Sequence, residues 1–231
     1  MEDPKLFVVM DFDSSESVLE SCCDFRALRA SNFFGVKINL DLLLKKQIGF
    51  LNHEFMIKPI IADLKMFNGI RTMISAIKHL AGFVDYVTIH AQIGISALKQ
   101  LVFLQESTNG IKVIANTILT HYSSSECLAI YSKPIDILVR KFTLMAYEAG
   151  CYGVTVPGTM LECIADIDIK KFVPGIRYGV VAEDVLGSPQ VHVVFPKQAF
   201  EGGATSVICG RPIFKAKDKN EAIIKILNFM K

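Results

Sequence analysis

Eight short apolar runs punctuate the 231 residues of this chain, and each is followed by a polar break and then by helical spacing. Because the runs are almost continuously apolar, they indicate parallel strands that are buried on both faces. Eight such units in a chain of this length predict an α/β fold, a (β/α)8 TIM barrel that forms a single domain over residues 1–231. An open doubly wound sheet is the alternative, but no G-x-G-x-x-G motif follows the first run.

The same patterns set the expected boundaries of the elements. The predicted strands cover residues 6–13, 33–40, 56–64, 86–91, 111–119 and 153–157, part of 171–181, and 206–210. The predicted helices cover residues 14–29, 42–51, 72–81 and 96–105, a long region that ends before Gly150, and 220–230. Residues 181–195 lack strong periodicity, which fits either a lid over a ligand or a surface excursion.

Charge and composition argue against several classes of function. The chain has 25 Lys and Arg against 23 Asp and Glu, without a run of five or six like charges, so no nucleic-acid binding is expected. Its apolar runs are shorter than the ~20 residues that cross a bilayer, and acidic residues near the start do not fit a signal peptide. We therefore expect no membrane association and a cytoplasmic location. The six cysteines lack C-x-x-C spacing and a neighbouring histidine, so no metal site is expected.

Charged side chains follow the first four predicted strands at their carboxyl ends, where the loops of a barrel converge. These residues are Asp11, Lys37, Asp63, Lys65 and His90. Asp63 and Lys65 are two apart on an extended segment, so both side chains are expected to enter one cavity. Charges in an apolar cavity must be paired, which predicts a network; the alternative is that they are solvated loop charges. His90 fits a core histidine as well as a substrate contact.

The loops after the seventh and eighth predicted strands have the composition of a phosphate site. They contain Pro174-Gly175-Ile176-Arg177 and Gly210-Arg211-Pro212. Glycine frees backbone N–H groups for an anion, and a guanidinium can bind a phosphate through two hydrogen bonds. Arg211 is therefore the candidate anion ligand, with Gln190 in the possible lid, although a simple turn also accounts for the glycine.

In these blocks the sequence resembles orotidine 5'-phosphate decarboxylase, and the resemblance covers nearly the whole chain. Its blocks are Val9-Met10-Asp11, Val36-Lys37-Ile38, Ala62-Asp63-Leu64-Lys65, Val87-Thr88-Ile89-His90-Ala91, Pro174-Gly175-Ile176-Arg177 and Gly210-Arg211-Pro212-Ile213. The resemblance implies a homodimeric (β/α)8 barrel that converts orotidine 5'-phosphate (OMP) to UMP in pyrimidine synthesis. It also implies that the reaction needs no metal and no organic cofactor.

The resemblance assigns roles to individual residues. The implied catalytic residues are Lys37, Asp63, Lys65 and Asn68, with Lys65 as the proton donor. The implied substrate-binding residues are Asp11, Lys37, Thr72, Thr120, Pro174, Gln190, Gly210 and Arg211. Within that set, Asp11 and Lys37 would bind the ribose and Thr120 the pyrimidine, whereas Gln190 and Arg211 would hold the phosphate.

One position departs from the family's Asp-x-Lys-x-x-Asp pattern, because Asn68 stands where the last Asp is usual. The resemblance implies that Asn68 and Thr72 reach the neighbouring subunit's site, where Asn68 keeps a hydrogen bond but not the charge. Activity could therefore be low. Two alternatives stay open: a related sugar-phosphate decarboxylase or aldolase barrel that needs a divalent metal, and a paralogue that only binds UMP-like nucleotides.

Overall fold

The computed structural model describes residues 3–12, 14–31, 33–45, 48–177 and 192–229. Eight parallel strands form a closed barrel in sequence order, which confirms the predicted TIM barrel. The strands are β1 (Leu6–Met10), β2 (Gly35–Asn39), β3 (Ile60–Met66), β4 (Tyr86–His90), β5 (Lys112–Asn116), β6 (Gly153–Thr155), β7 (Lys170–Val173) and β8 (Ser206–Cys209). The barrel closes through the pairing of β8 with β1, in which Val8 stands opposite Cys209.

Several predicted strands are longer than the observed ones, for local reasons. Strand β3 begins at Ile60 rather than at residue 56, since Pro59 has no N–H to donate to a ladder. The seventh strand ends at Val173, where Pro174 is followed by Gly175 in a left-handed conformation (φ +77°).

The helices surround the barrel. They are α1 (Ser15–Ser31), α2 (Leu40–Lys45), α3 (Ile70–Leu80), α4 (Ile95–Phe103), α5 (Ser124–Tyr131), α6 (Ile135–Glu148), α7 (Pro196–Glu201), α8 (Arg211–Phe214) and α9 (Lys219–Asn228). In the described part of the chain, no helix combines the length and apolarity needed to cross a membrane.

Two helix predictions are wrong in detail. The long region before Gly150 consists of two helices, α5 and α6, because Ser132 turns left-handed (φ +56°) and Pro134 cannot continue a helix. The predicted helix over residues 42–51 is the short helix α2, which begins at Leu40, and a separate 3₁₀ turn at Ile48–Asn52.

Apolar side chains fill the interior of the barrel below the carboxyl ends of the strands. This inner layer consists of Phe7, Ile61, Tyr86, Ile114, Phe172 and Ile208. Gly35 and Gly153 make room for it, because a Cβ at either position would lie 2.6 Å from the ring of Phe7 or of Phe172, respectively. The filled interior leaves space for a ligand only above this layer, at the carboxyl ends of the strands.

Candidate active site

A cavity of about 1040 Å³ opens at the carboxyl ends of the strands. Its floor includes Ile61, Ile114 and Ile208 of the inner apolar layer. Its walls carry eight of the residues predicted from the sequence: Asp11, Lys37, Asp63, Lys65, Thr120, Pro174, Gly210 and Arg211. The structure therefore brings residues from both halves of the chain to one cavity.

The centre of the cavity is a carboxylate shared by two ammonium groups. Asp63 Oδ2 lies 2.6 Å from Lys37 Nζ and 2.6 Å from Lys65 Nζ. Asp63 and Lys37 are buried, whereas the Lys65 side chain is 43% exposed toward the open space. The described lining carries four basic side chains against three carboxylates, a small excess of positive charge that favours an anionic ligand. These are Lys37, Lys65, Arg177 and Arg211 against Asp11, Asp41 and Asp63.

Burial and charge act in opposite directions on these groups. Burial would raise the pKa of the Asp63 carboxyl, but the adjacent Lys37 and Lys65 outweigh it and hold that pKa well below its usual range. Burial lowers the pKa of Lys37, although the contact with Asp63 counteracts part of this shift. Asp63 is therefore ionised at neutral pH and keeps both lysine side chains in place.

Lys65 reaches the cavity from an irregular backbone rather than from a regular extended strand. Its φ angle is +46°, and the pairing of β3 with β4 shifts register between Ala62 and Met66. The prediction that Lys65 lies on a regular extended segment is therefore wrong. Its side chain and that of Asp63 nevertheless both line the cavity, as expected. Left-handed conformations of this kind are uncommon for residues other than glycine and concentrate at functional sites.

Sequence reasoning did not single out two polar residues of this centre. Asn39 on β2 accepts a hydrogen bond from Lys37 Nζ and donates one from Nδ2 to Asp11 Oδ1, at 2.8 Å. Thr88 on β4 donates from Oγ1 to Asp63 Oδ1, at 2.9 Å. Asn39 lies two residues from Lys37, and Thr88 lies two residues from His90. Because alternate residues of a strand share one face, this spacing could have identified both.

The opposite wall is formed by the loops after β7 and β8. Gly175 and Gly210 lie so close to other residues that a side chain would not fit at either position. A Cβ at Gly175 would lie 2.6 Å from the His192 carbonyl oxygen, and one at Gly210 would lie 2.9 Å from the Val9 Cβ. Arg211 begins helix α8 directly after Gly210 and lines the same cavity as Lys65. Arg177 also lines it and is buried. This wall offers guanidinium groups to a second anionic group of a ligand.

Other predicted residues lie elsewhere. Asn68 and Thr72 are exposed, and they are absent from the described residues that line the cavity. His90 is likewise absent from that lining; its ring packs edge-on against Phe67, with 6.0 Å between ring centroids. Gln190 and most of the predicted lid lie outside the described residues.

Metal ligands are not concentrated in the described segments. Within those ranges, no group of three His, Cys, Asp or Glu side chains is arranged to hold a metal ion. The cavity instead offers a half-exposed ammonium next to a fixed carboxylate, with guanidinium groups on another wall. Such a set can bind a ligand with two anionic groups, stabilise a carbanion and deliver a proton to it.

Comparison with known proteins places this chain in a family. The model of the "Orotidine 5'-phosphate decarboxylase / HUMPS family" matches residues 4–226. The orotidine 5'-phosphate decarboxylase of Nautilia profundicola is 28% identical over 234 residues, covering 98% of this chain and 99% of that protein. That of Nitratiruptor sp. is 32% identical over 188 residues, covering 79% of each chain.

Solved structures show the same fold. The orotidine 5'-phosphate decarboxylase of Lactobacillus acidophilus superposes with a TM-score of 0.77 at 22% identity, and the comparison covers 100% of both chains. The enzyme of Methanocaldococcus jannaschii, solved with the inhibitor BMP, gives a TM-score of 0.75 at 18% identity over 100% of both chains. With the family model matched over nearly its whole length, this chain belongs to the orotidine 5'-phosphate decarboxylase / HUMPS family.

Proposed function

We propose that the protein decarboxylates OMP to UMP in pyrimidine biosynthesis, without a metal ion or an organic cofactor. The observation that carries this proposal is the placement of Lys65, Asp63 and Arg211 around one cavity. Lys65 and Asp63 meet at 2.6 Å above an apolar floor, while Arg211 lies on the loop after β8. OMP carries a carboxylate at one end and a phosphate at the other, which matches these two positive regions.

The chemistry follows from the position of the Lys65 ammonium group. The bond between C6 of the pyrimidine and its carboxylate carbon breaks, CO2 departs, and the electron pair stays on C6. Lys65 stabilises this carbanion and then transfers a proton from Nζ to C6, which gives UMP. Solvent returns the proton to Lys65 after the product leaves.

Asp63 has a positioning role and an electrostatic role. It holds Lys65 Nζ at 2.6 Å and directs it toward the reacting carbon. It also lies close to the substrate carboxylate, so loss of CO2 relieves the repulsion between two negative groups. Asp63 keeps its charge near this carboxylate because Lys37 contacts the same oxygen.

The remaining predicted residues bind the rest of the nucleotide. Asp11 and Lys37 contact ribose hydroxyls, and Thr120 contacts the pyrimidine. Pro174, Gly210, Arg211 and Gln190 hold the phosphate. Binding energy from the phosphate, remote from the reacting carbon, orients the pyrimidine against Lys65. Support for this assignment comes from the cavity, which all of these residues except Gln190 line.

We further propose a cytoplasmic homodimer in which Asn68 and Thr72 complete the partner's site. Both residues are exposed, and Phe67 beside Asn68 is 62% exposed despite its apolar ring. An exposed aromatic side chain next to two polar ones is typical of a surface that a second subunit covers. Asn68 would then donate or accept a hydrogen bond in the partner's cavity without adding a negative charge.

The test of the proposed function is the decrease in absorbance as OMP is converted to UMP by purified protein. We expect turnover in the presence of EDTA, and we expect Lys65→Ala to abolish it while UMP still binds. Folded dimeric protein that does not turn over OMP would contradict the proposal. Activity that EDTA removes would instead favour a metal-dependent sugar-phosphate barrel, a class considered because of its related Asp-x-Lys-x-x-Asp pattern.

Mixing two variants tests the shared site. Lys65→Ala and Asn68→Ala protomers each lack one contribution, and a mixed dimer carries one intact site. After random exchange of subunits, about a quarter of wild-type turnover is expected to return. No recovery, or full activity of Asn68→Ala alone, would contradict a contribution of Asn68 across the interface.

Asn68→Asp addresses the paralogue that only binds nucleotides. If wild-type protein turns over OMP well, that alternative is excluded. If Asn68→Asp raises kcat by orders of magnitude while the affinity for UMP hardly changes, the missing charge limits the wild-type enzyme.

A further inference from the structure

Thr88 occupies an unusual position in the sheet. In the register of β3 with β4, residues 63–65 stand opposite Thr88 alone, because Ala62 pairs with Val87 and Met66 pairs with Ile89. Such a bulge interrupts the backbone ladder and bends the strand that carries the extra residues. The ladder therefore does not supply the usual partner for the backbone N–H of Lys65.

The side chain of Thr88 takes over this contact. Its Oγ1 accepts a hydrogen bond from the backbone N–H of Lys65, at 2.9 Å, and donates one to Asp63 Oδ1, also at 2.9 Å. Thr88 is 1% exposed, so water does not substitute for either partner. The single hydroxyl proton is used by Asp63, and therefore Thr88 has no hydrogen left to donate to a ligand.

We propose that Thr88 is the positioning residue that directs Asp63 and Lys65 toward the reacting carbon. By binding Oδ1, it turns the other oxygen, Oδ2, toward Lys37 and Lys65, which both contact it at 2.6 Å. By accepting from the Lys65 N–H, it stabilises the left-handed backbone (φ +46°) from which the Lys65 side chain enters the cavity. The expected effect on kcat rests on the proposed function. The expected change in the geometry of Lys65 and Asp63 does not.

Replacement of the hydroxyl separates this role from simple packing. Thr88→Val keeps the shape of the side chain, but it leaves one oxygen of Asp63 and the N–H of Lys65 without their partner. We expect kcat to fall about 10- to 100-fold, because the proton donor is no longer held in place. We expect KM to change by no more than about twofold, since the buried Thr88 hydroxyl has no hydrogen left to donate to the nucleotide. Thr88→Ser keeps the hydroxyl and is expected to restore kcat.

Thr143 on α6 offers a matched control. Thr143 is buried (0% exposed), as Thr88 is (1%), but within the described residues its hydroxyl has no hydrogen-bond partner. Thr143→Val makes the same chemical change away from the site and is expected to leave kcat and KM unchanged. If Thr88→Val does not fold, as judged by circular dichroism, Thr88→Ala is measured in its place.

A readout without substrate keeps this inference separate from the proposed function. In crystal structures of Thr88→Val, Lys65 Nζ is expected to move out of contact with Asp63, and Lys65 is expected to leave its left-handed conformation. An unchanged contact and φ angle would overturn the inference even if the wild-type enzyme turns over OMP. A kcat that stays at the wild-type level, or that Thr88→Ser fails to restore, would also overturn it. Absence of OMP turnover in wild-type protein would remove the proposed function but would leave the crystallographic comparison decisive for Thr88.

Discussion

Two lysine–carboxylate clusters lie at opposite ends of the barrel, and they use similar groups for different purposes. At the carboxyl end, Asp63 is shared by Lys37 and Lys65 inside an open cavity. At the amino end, Asp3 contacts Lys170 and accepts hydrogen bonds from the hydroxyls of Tyr86 (2.8 Å) and Tyr152 (2.6 Å). Both carboxylates are buried, and each is contacted by side chains from several strands or from residues next to those strands.

The clusters differ in the number of ammonium groups at the carboxylate and in the space beside it. Asp3 contacts a single lysine and two neutral phenols, and it is absent from the described residues that line the cavity. Asp63 faces two lysines, and one of them is half-exposed in space large enough for a nucleotide. The two outer lysine side chains are about equally exposed, Lys170 at 42% and Lys65 at 43%, so solvent access alone does not distinguish the clusters. A carboxylate with one ammonium group and no cavity beside it stabilises the fold, whereas one with two ammonium groups in a ligand-sized cavity is available for chemistry.

The largest expected effect comes from removing one ammonium group at each end. Lys65→Met is expected to lower kcat about a thousandfold or more, equivalent to about 4 kcal/mol, because the proposed proton donor is lost. The matched variant Lys170→Met is expected to leave kcat nearly unchanged and to lower the free energy of unfolding by about 1–2 kcal/mol. OMP turnover and urea unfolding measure the two effects. A comparable loss of kcat in both variants would remove the distinction between the ends.

The next largest effect is expected at the amino-end carboxylate. Asp3→Asn removes the negative charge that Lys170 and two phenol hydroxyls contact, which is expected to cost about 2 kcal/mol of stability. For a chain of this size, that corresponds to a decrease in Tm of about 6 °C. Differential scanning calorimetry measures the shift, and kcat at a temperature well below Tm is the control. Unchanged Tm would show that the amino-end cluster does not stabilise the barrel.

The pH dependence of stability tests the role assigned to Asp3 in the amino-end cluster. Burial would raise the pKa of Asp3, but hydrogen bonds from Lys170, Tyr152 and Tyr86 outweigh it and lower that pKa. A lowered pKa means that the unfolded chain binds more protons, so this stabilisation is present above about pH 4 and is lost as the pH falls further. In urea unfolding between pH 7 and pH 3, the free energy of unfolding is expected to decrease less steeply toward low pH for Asp3→Asn than for wild type. Equal slopes would contradict this assignment.

The smallest expected effect concerns one phenol of the amino-end cluster. Tyr152→Phe removes the hydroxyl that donates to Asp3 and accepts from Lys170 Nζ at 2.8 Å. We expect a loss of about 1 kcal/mol in the free energy of unfolding and no change in kcat. Tyr147→Phe, on the exposed side of α6, is the control and is expected to change neither quantity. A decrease in kcat for Tyr152→Phe would indicate that the two ends of the barrel are coupled.

The two clusters also differ in how far the sequence predicts them. Asp11, Lys37, Asp63 and Lys65 follow or end apolar runs, and parallel strands bring such positions to one end of a barrel. Asp3 and Tyr152 precede their strands and Lys170 begins β7, and no local pattern distinguishes them from solvated charges or surface aromatics. Their cluster exists only because residues distant in the sequence, such as Asp3 and Tyr152, which are 149 positions apart, meet when β8 closes against β1.

Local patterns in the chain were enough to predict the eight-stranded barrel, because the apolar periodicity of the strands is set by the order of residues. They also predicted that Lys65 and Arg211 line one cavity, because residues that follow parallel strands lie at the same end of a barrel. The bulge at Lys65, the hydrogen bond from Thr88 to Asp63, and the hydrogen bonds that join Asn39 to Lys37 and Asp11 were visible only once the strands were paired. These contacts depend on the register between neighbouring strands. A shift of one residue in that register would turn each side chain to the opposite face, and the composition of a single strand does not specify it.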